Sequence, residues 1–216
     1  MANLEEIEFA LSVIAFGYLS QDSRSLTSRA AFKKAYASEA GQQLLKSKVV
    51  VLHCTTEYPA PIDEVNLNAM TLMHKLFNLP IGYSDHTDGI TIPIAAVAKG
   101  AVVIEKHFTL SKDMDGPDHK ASIEPDELMQ MVKGIRCVEL ALGTFDKKPT
   151  PSELNNKEVV RKSIIAKSDI NKGQKLTADN LAILRPGTGI SPTRYYDVLG
   201  SYACKDFSAG ELIVLS

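Results

Sequence analysis

Apolar and polar positions along this chain switch between two periods, and the switches mark its elements. From Leu4 onward apolar residues recur at helical spacing, which predicts an amphipathic helix with Leu4, Ile7, Leu11 and Ile14 on one face. The polar stretch 18–48 predicts a loop with short helices around Ala30–Tyr36 and Gly41–Lys46. VVVLHC (49–54) is then a near-continuous apolar run, the kind a parallel sheet buries on both faces. A helix is expected to start at Asp63, with Leu67, Met70, Met73 and Phe77 inward, and to end at Pro80. Ile81–Ser84 reads as a second strand. Thr91 is the expected cap of a short helix that keeps Pro93 in its first turn, where a missing N–H costs little. Gly100 ends that helix, and 101–108 reads as a third strand. The last helix of this region runs from Pro125 to Leu142, with Leu128, Met131, Val132, Ile135 and Val138 inward and Gly143 as its stop. Strand and helix alternate without a hairpin signal, which predicts an α/β fold of right-handed βαβ units.

The pattern breaks at TFDKKPTPSELNNKE (144–158), whose prolines and charges read as a linker between a region 1–143 and a small β-rich domain 159–216. In that domain Gly173, Gly187, Gly189 and Gly210 punctuate short segments at turns, and its size is near the lower limit of independent folding.

Composition narrows the function classes. With 24 Lys plus Arg against 26 Asp plus Glu, nothing favours nucleic acid or an anionic membrane as partner. No apolar run reaches a membrane-spanning length, and acids stand where a secretion signal needs positive charge. Cys54, Cys137 and Cys204 are odd in number and lack zinc-like spacing, so buried thiols in a reducing cytoplasm are expected.

The chemistry gathers where apolar runs end. HCTTEYPAP (53–61) carries Thr56 and Tyr58, GYSDHT (82–87) carries His86, and IEKHFT (104–109) carries His107. Strand alternation puts Ser84 with His86, and Glu105 with His107, on one side of their strands. Two strand-end imidazoles suit a divalent cation, or bond to backbone. A buried Glu105 orients an imidazole, activates a water, or closes an interior ion pair. Tyr58 lines a site or anchors its loop, and Asp118 follows a Gly-Pro turn. Asp85 is a candidate support for His86. The orientation of His53 stays open, His74 and His119 read as solvent-facing or supporting residues, and the other Lys and Glu residues as solvated faces.

These motifs, with GPDH (116–119) and KGQKLTADNLAILRPGTGI (172–190), follow in order across 49–215, and the chain resembles the sialic acid synthase family. The long 18–48 stretch is closer to branches making legionaminic acid. The resemblance implies a TIM-type (β/α) barrel, a linker and an antifreeze-like SAF (β-clip) domain. In the implied swapped homodimer, the SAF domain of one protomer covers the barrel mouth of the other. It implies condensation of phosphoenolpyruvate with N-acetylmannosamine or a related N-acetylated sugar to a nonulosonic acid, releasing phosphate. By the same resemblance His86 and His107 hold Mn²⁺ or Mg²⁺, Glu105 is catalytic, Thr56 and Ser84 contact phosphoenolpyruvate, and Tyr58 and Asp118 contact the sugar. Arg185 would reach the N-acetyl group across the dimer. Only about the last three strand–helix units of an eightfold barrel precede the linker, so a partial barrel is expected, inactive until an amino-terminal half is supplied. Two other readings compete: a non-catalytic remnant serving as an oligomerisation or interaction module, with an exposed edge at VVVLHC, and a metal-dependent hydrolase. The hydrolase lacks a clustered third ligand.

Overall fold

Asn3 starts the first helix by accepting the Glu6 amide while the Glu6 carboxylate accepts that of Asn3, a capping box that satisfies two orphan N–H groups. This computed structural model describes residues 1–20 and 26–215. The helix, α1 (Leu4–Leu19), buries Leu11, Ser12 and Ala15. Leu4 and Ile14, expected inward, are 38% and 39% exposed. The buried stripe centres on Leu11 and Ala15, which leaves Ile14 at its margin and Leu4 in the first turn. Ser38 joins the next two helices, α2 (Arg29–Ala37) and α3 (Glu39–Lys48): its amide donates to Ala35 and its hydroxyl accepts from Gly41. Part of the loop expected before α2, residues 21–25, lies outside the described residues.

Three strands follow, each after a helix or a turn: β1 (Val51–Cys54), α4 (Asn68–Phe77), β2 (Ile81–Asp85), α5 (Thr91–Ala98), β3 (Ile104–Lys106) and α6 (Pro125–Leu142). They form a parallel sheet in the order β1-β2-β3, with Cys54 beside Ser84, Ser84 beside Glu105, and Asp85 beside Lys106. One sheet face, with Ile81 and Tyr83, packs on a core of Leu11, Ala15, Leu45, Met70, Met73, Phe77, Ala96 and Val97. Alternation turns Leu52, Cys54, Gly82, Ser84 and Glu105 to the opposite face.

Local chemistry moved several boundaries. Asp63 lies within a 3-10 turn (Ile62–Glu64), and α4 starts only at Asn68. Thr91 is the first helical residue of α5 rather than its cap. β1 is half-buried because it is an edge strand, its outer side open among the described residues. A groove of about 780 Å³ runs along that edge, between α1, β1 and α4. β3 is shorter than expected, although the Val102 amide already bonds Ile81 and the Val103 carbonyl accepts from Tyr83. α6 has the expected bounds, with Pro125 at its start and Glu127 closing a capping box on Glu124. Its Val132, expected inward, is 43% exposed, and Cys137 is exposed rather than buried, because only the Met131 side of this helix is covered.

The chain divides into two units, Met1–Thr144 and Phe145–Ser216. In the second, part of the segment read as linker is helical: α7 (Pro151–Val160) opens on a Thr150–Glu153 capping box. An antiparallel pair, β4 (Ser163–Ala166) and β5 (Leu181–Leu184), then packs with a one-turn α8 (Tyr195–Val198) around Ile164, Ile170, Leu176, Leu181, Val198, Phe207 and Ile213. Gly173 and Gly210 stand at turns with φ of +81° and +87°, a region that costs glycine little.

Candidate active site

The ends of β2 and β3 build the site. Parallel pairing sets Ser84 beside Glu105, and the Ser84 hydroxyl donates to Glu105 Oε1 at 2.6 Å. This short charge-assisted bond holds the carboxylate by one oxygen and leaves the other free to accept. Glu105 is exposed, not buried as its strand position suggested, because β3 is the other edge of the sheet and this face carries no helix of the core.

One residue beyond each strand end stands a histidine. The two imidazole centres are 5.4 Å apart at 70°. His86 Nδ1 donates to the Thr55 carbonyl at 2.8 Å, which fixes the tautomer and leaves Nε2 with its lone pair. The Tyr58 ring lies 4.2 Å from that of His86 and presents an edge to His107 at 5.4 Å. Backbone bonds keep these loops in place: Ala60 N–H to the His86 carbonyl at 2.8 Å, and Ile123 N–H to the His107 carbonyl at 2.9 Å.

The ring spacing is compatible with a shared divalent cation. With metal–nitrogen bonds near 2.1 Å, each ring centre would sit roughly 3.2 Å from the ion, so rings up to about 6.5 Å apart can share one. Among the described residues no group of three or more His, Cys, Asp or Glu side chains is gathered to hold an ion. A cation here would therefore have two protein donors and open positions for water or substrate.

Behind the site lies what the sequence reading missed. Lys106, read there as part of a solvated face, is buried, and its ammonium donates to Asp85 Oδ2 at 2.6 Å and to the Thr87 carbonyl at 2.7 Å. Asp85 Oδ1 accepts from the Thr87 amide and hydroxyl at 3.0 and 2.8 Å. Both Asp85 oxygens are thus spent on the core side of the sheet, so Asp85 does not support His86 directly. The signal was available: a lysine between Glu105 and His107 must face the core if those two face the site. Tyr83 shares that side, fully buried, and among the described residues its hydroxyl has no hydrogen-bond partner. Burial, then the Asp85 charge, push its phenol well above the ordinary tyrosine range.

The structure brings Ser84, Glu105, His86, His107 and Tyr58 together. Thr56 is exposed in the loop after β1. Asp118 is exposed too, and its hydrogen bonds run through its carbonyl, to Ser122 Oγ and the Ala121 amide. Arg185 belongs to the second unit, where its Nε donates to the Val160 carbonyl at 3.1 Å. His53 turns to the core side and meets the Val65 carbonyl; His74 meets that of Leu79, and His119 the Thr109 hydroxyl.

The NeuB family model matches residues 1–147 and the SAF domain model residues 161–216. The chain is 53% identical over 168 residues to the N,N'-diacetyllegionaminic acid synthase of Campylobacter jejuni, covering 78% of this chain and 50% of that protein. It is 46% identical over 170 residues to the synthase of that name from Legionella pneumophila, covering 79% and 48%. Among solved structures, the N-acetylneuraminic acid synthetase of Leptospira borgpetersenii is similar with a TM-score of 0.50 and 35% identity, covering 68% of this chain and 51% of that one. The chain spans about half the length of the curated relatives it matches. With more than half of its residues inside one family model, the chain belongs to the NeuB family of sialic acid-type synthases and carries a SAF domain.

Proposed function

We propose that the protein is a nonulosonic acid synthase that condenses phosphoenolpyruvate with N-acetylmannosamine or a related N-acetylated sugar. The observation that carries this reading is the pairing of His86 with His107 beside the Ser84–Glu105 bond, at adjacent strand ends of a chain whose relatives are named as such synthases. The three parallel strands are read as part of a TIM-type barrel, whose reacting groups lie at the strand carboxyl ends.

A divalent cation, Mn²⁺ or Mg²⁺, bound by His86 and His107 would supply the positive charge that polarises the sugar aldehyde. His86 is oriented for this by the Thr55 carbonyl, and Tyr58 flanks both rings, walling one side against water. Ser84 and Thr56 hold phosphoenolpyruvate so that its methylene carbon faces the aldehyde carbon, with Tyr58 and Asp118 on the sugar. The methylene attacks the aldehyde carbon, the C=O π pair moves to its oxygen, which takes up a proton to become a hydroxyl, and an electron-poor carbon is left at the phosphate ester. The free oxygen of Glu105 takes a proton from the water that adds there, and the tetrahedral carbon collapses to a ketone as the new hydroxyl loses its proton and phosphate leaves with the electron pair of its carbon–oxygen bond. Arg185, from the SAF domain of the partner protomer, grips the N-acetyl carbonyl. A homodimer in the cytoplasm completes the proposal.

Phosphate release from phosphoenolpyruvate, with and without N-acetylmannosamine, in Mn²⁺ buffer tests it. Sugar-dependent release is expected once a matching amino-terminal half-barrel is supplied, lost in His86→Ala and His107→Ala with folding intact. Full activity in both variants refutes the role of the pair. The open β1 edge, its groove, and the exposed Leu72 and Leu76 of α4 favour a second reading, an association module without catalysis. Absence of turnover even with that half supplied, together with self-association of the folded protein, would favour it.

A further inference from the structure

We infer that the buried Asp85–Lys106 pair is a positioning device that sets the distance between His86 and His107. The inference rests on the reading above, in which these histidines act as a pair. Asp85 directly precedes His86 at the end of β2, and Lys106 directly precedes His107 at the end of β3. The two are register partners across the parallel ladder, and the ladder ends with them. Beyond that point, among the described residues, no strand hydrogen bond fixes the two histidine-bearing loops against each other. What does cross is the Lys106 ammonium, which bonds the Asp85 carboxylate at 2.6 Å and the carbonyl of Thr87, the residue after His86, at 2.7 Å. Lys106 thereby grips His86 from both chain neighbours.

Burial makes the grip stiff. Side-chain exposure is 2% for Lys106 and 0% for Asp85, so neither group can exchange its partner for water without opening the core side of the sheet. The two Thr87 bonds to Asp85 Oδ1 close the turn around His86 from within. A structural ion pair could serve stability from many places. This one joins the only two residues that directly precede the paired imidazoles, and its third bond lands on the residue that follows one of them. Neither side chain touches substrate in this account; both act through their neighbours.

Asp85→Asn alone would strand a buried ammonium and risk unfolding, so the test is the Asp85→Asn/Lys106→Met double variant, which removes both charges while keeping shape. Two quantities are measured on folded protein: the imidazole separation in crystal structures of both forms, and Mn²⁺ affinity by electron paramagnetic titration. The rings should move apart by about 1 Å or more, with Mn²⁺ binding weakened 10- to 100-fold, the range for residues that orient metal-bound histidines. A folded double variant with wild-type separation and wild-type Mn²⁺ affinity overturns the inference. If the parent protein binds no Mn²⁺, the metal reading of the histidines fails. The ring separation then still decides: widening in the variant supports the positioning role, and an unchanged separation refutes it.

Discussion

Gly82, between Ile81 and Tyr83 on the site face of β2, explains a motif position that periodicity leaves blank. A Cβ there would lie 2.4 Å from Leu52 Cδ2, 2.7 Å from the Val103 carbonyl oxygen and 3.0 Å from Val103 Cβ. The Leu52 methyl can swing away. The carbonyl cannot do so freely, because it accepts the Tyr83 amide at 2.9 Å, and ordinary contact with a Cβ begins near 3.4 Å. Gly82→Ala therefore pushes the start of β3 away from β2 by about 0.7 Å and stretches that bond. Overpacking of this kind costs about 1–3 kcal/mol. The lower unfolded-state entropy of alanine returns about 0.4–1 kcal/mol, so a net loss of about 1.3 kcal/mol remains at the middle of the two ranges. The same change at Gly17 supplies the control: it sits in α1, exposed, with nothing within 4 Å of its would-be Cβ. Among the described residues nothing crowds that position, and there alanine should stabilise by about 0.5–1 kcal/mol through helix propensity. Urea unfolding of both variants against the parent tests the argument. Opposite signs are expected, and a Gly82→Ala protein as stable as the parent would refute it.

Tyr83→Phe removes a buried hydroxyl that has no partner, so it should leave stability unchanged or raise it by up to about 1 kcal/mol in thermal unfolding. Glu105→Gln keeps the Ser84 bond but not the proton-accepting oxygen; kcat should fall about 10²–10⁴-fold with little change in KM, read by phosphate release. The Lys112 ammonium, then the Glu124 amide, hold the Glu127 carboxyl below its usual range. The folded value is the depressed one, so this stabilisation is present above the unfolded value near ~4.3 and is lost as pH falls through the folded value. With both partners about a third exposed, Glu127→Gln should cost less than about 1 kcal/mol at pH 7, and the gap to the parent should close by pH 3 in urea titrations.

Much of the fold was legible because local and tertiary signals agreed. In α6, proline at the first turn, acids behind it and glycine after Leu142 all mark the observed ends. At α7 composition outweighed a readable signal: Thr150, Pro151 and Glu153 spell a helix start inside a stretch that prolines and charges made look like linker. At the site, alternation correctly separated Ser84, His86, Glu105 and His107 from their neighbours. What alternation cannot say is which sheet face the helices cover. That is why Glu105 was expected in the interior and Lys106 in solvent, when the order of burial is reversed. Similarly, the apolar run of β1 suggested burial on both faces, while the exposed edge at VVVLHC came only from counting strands, because sheet order lies in no window of six residues.

The most direct test of the central claim is the bond itself. Phosphoenolpyruvate labelled with ¹³C at its methylene carbon and N-acetylmannosamine labelled at its aldehyde carbon are incubated with the protein, a matching amino-terminal half-barrel and Mn²⁺, and the product is read by carbon NMR. Carbon–carbon condensation at the His86–His107 site predicts a one-bond coupling between the two labels, absent in His107→Ala. Phosphate and free pyruvate without that coupling would contradict the synthase account.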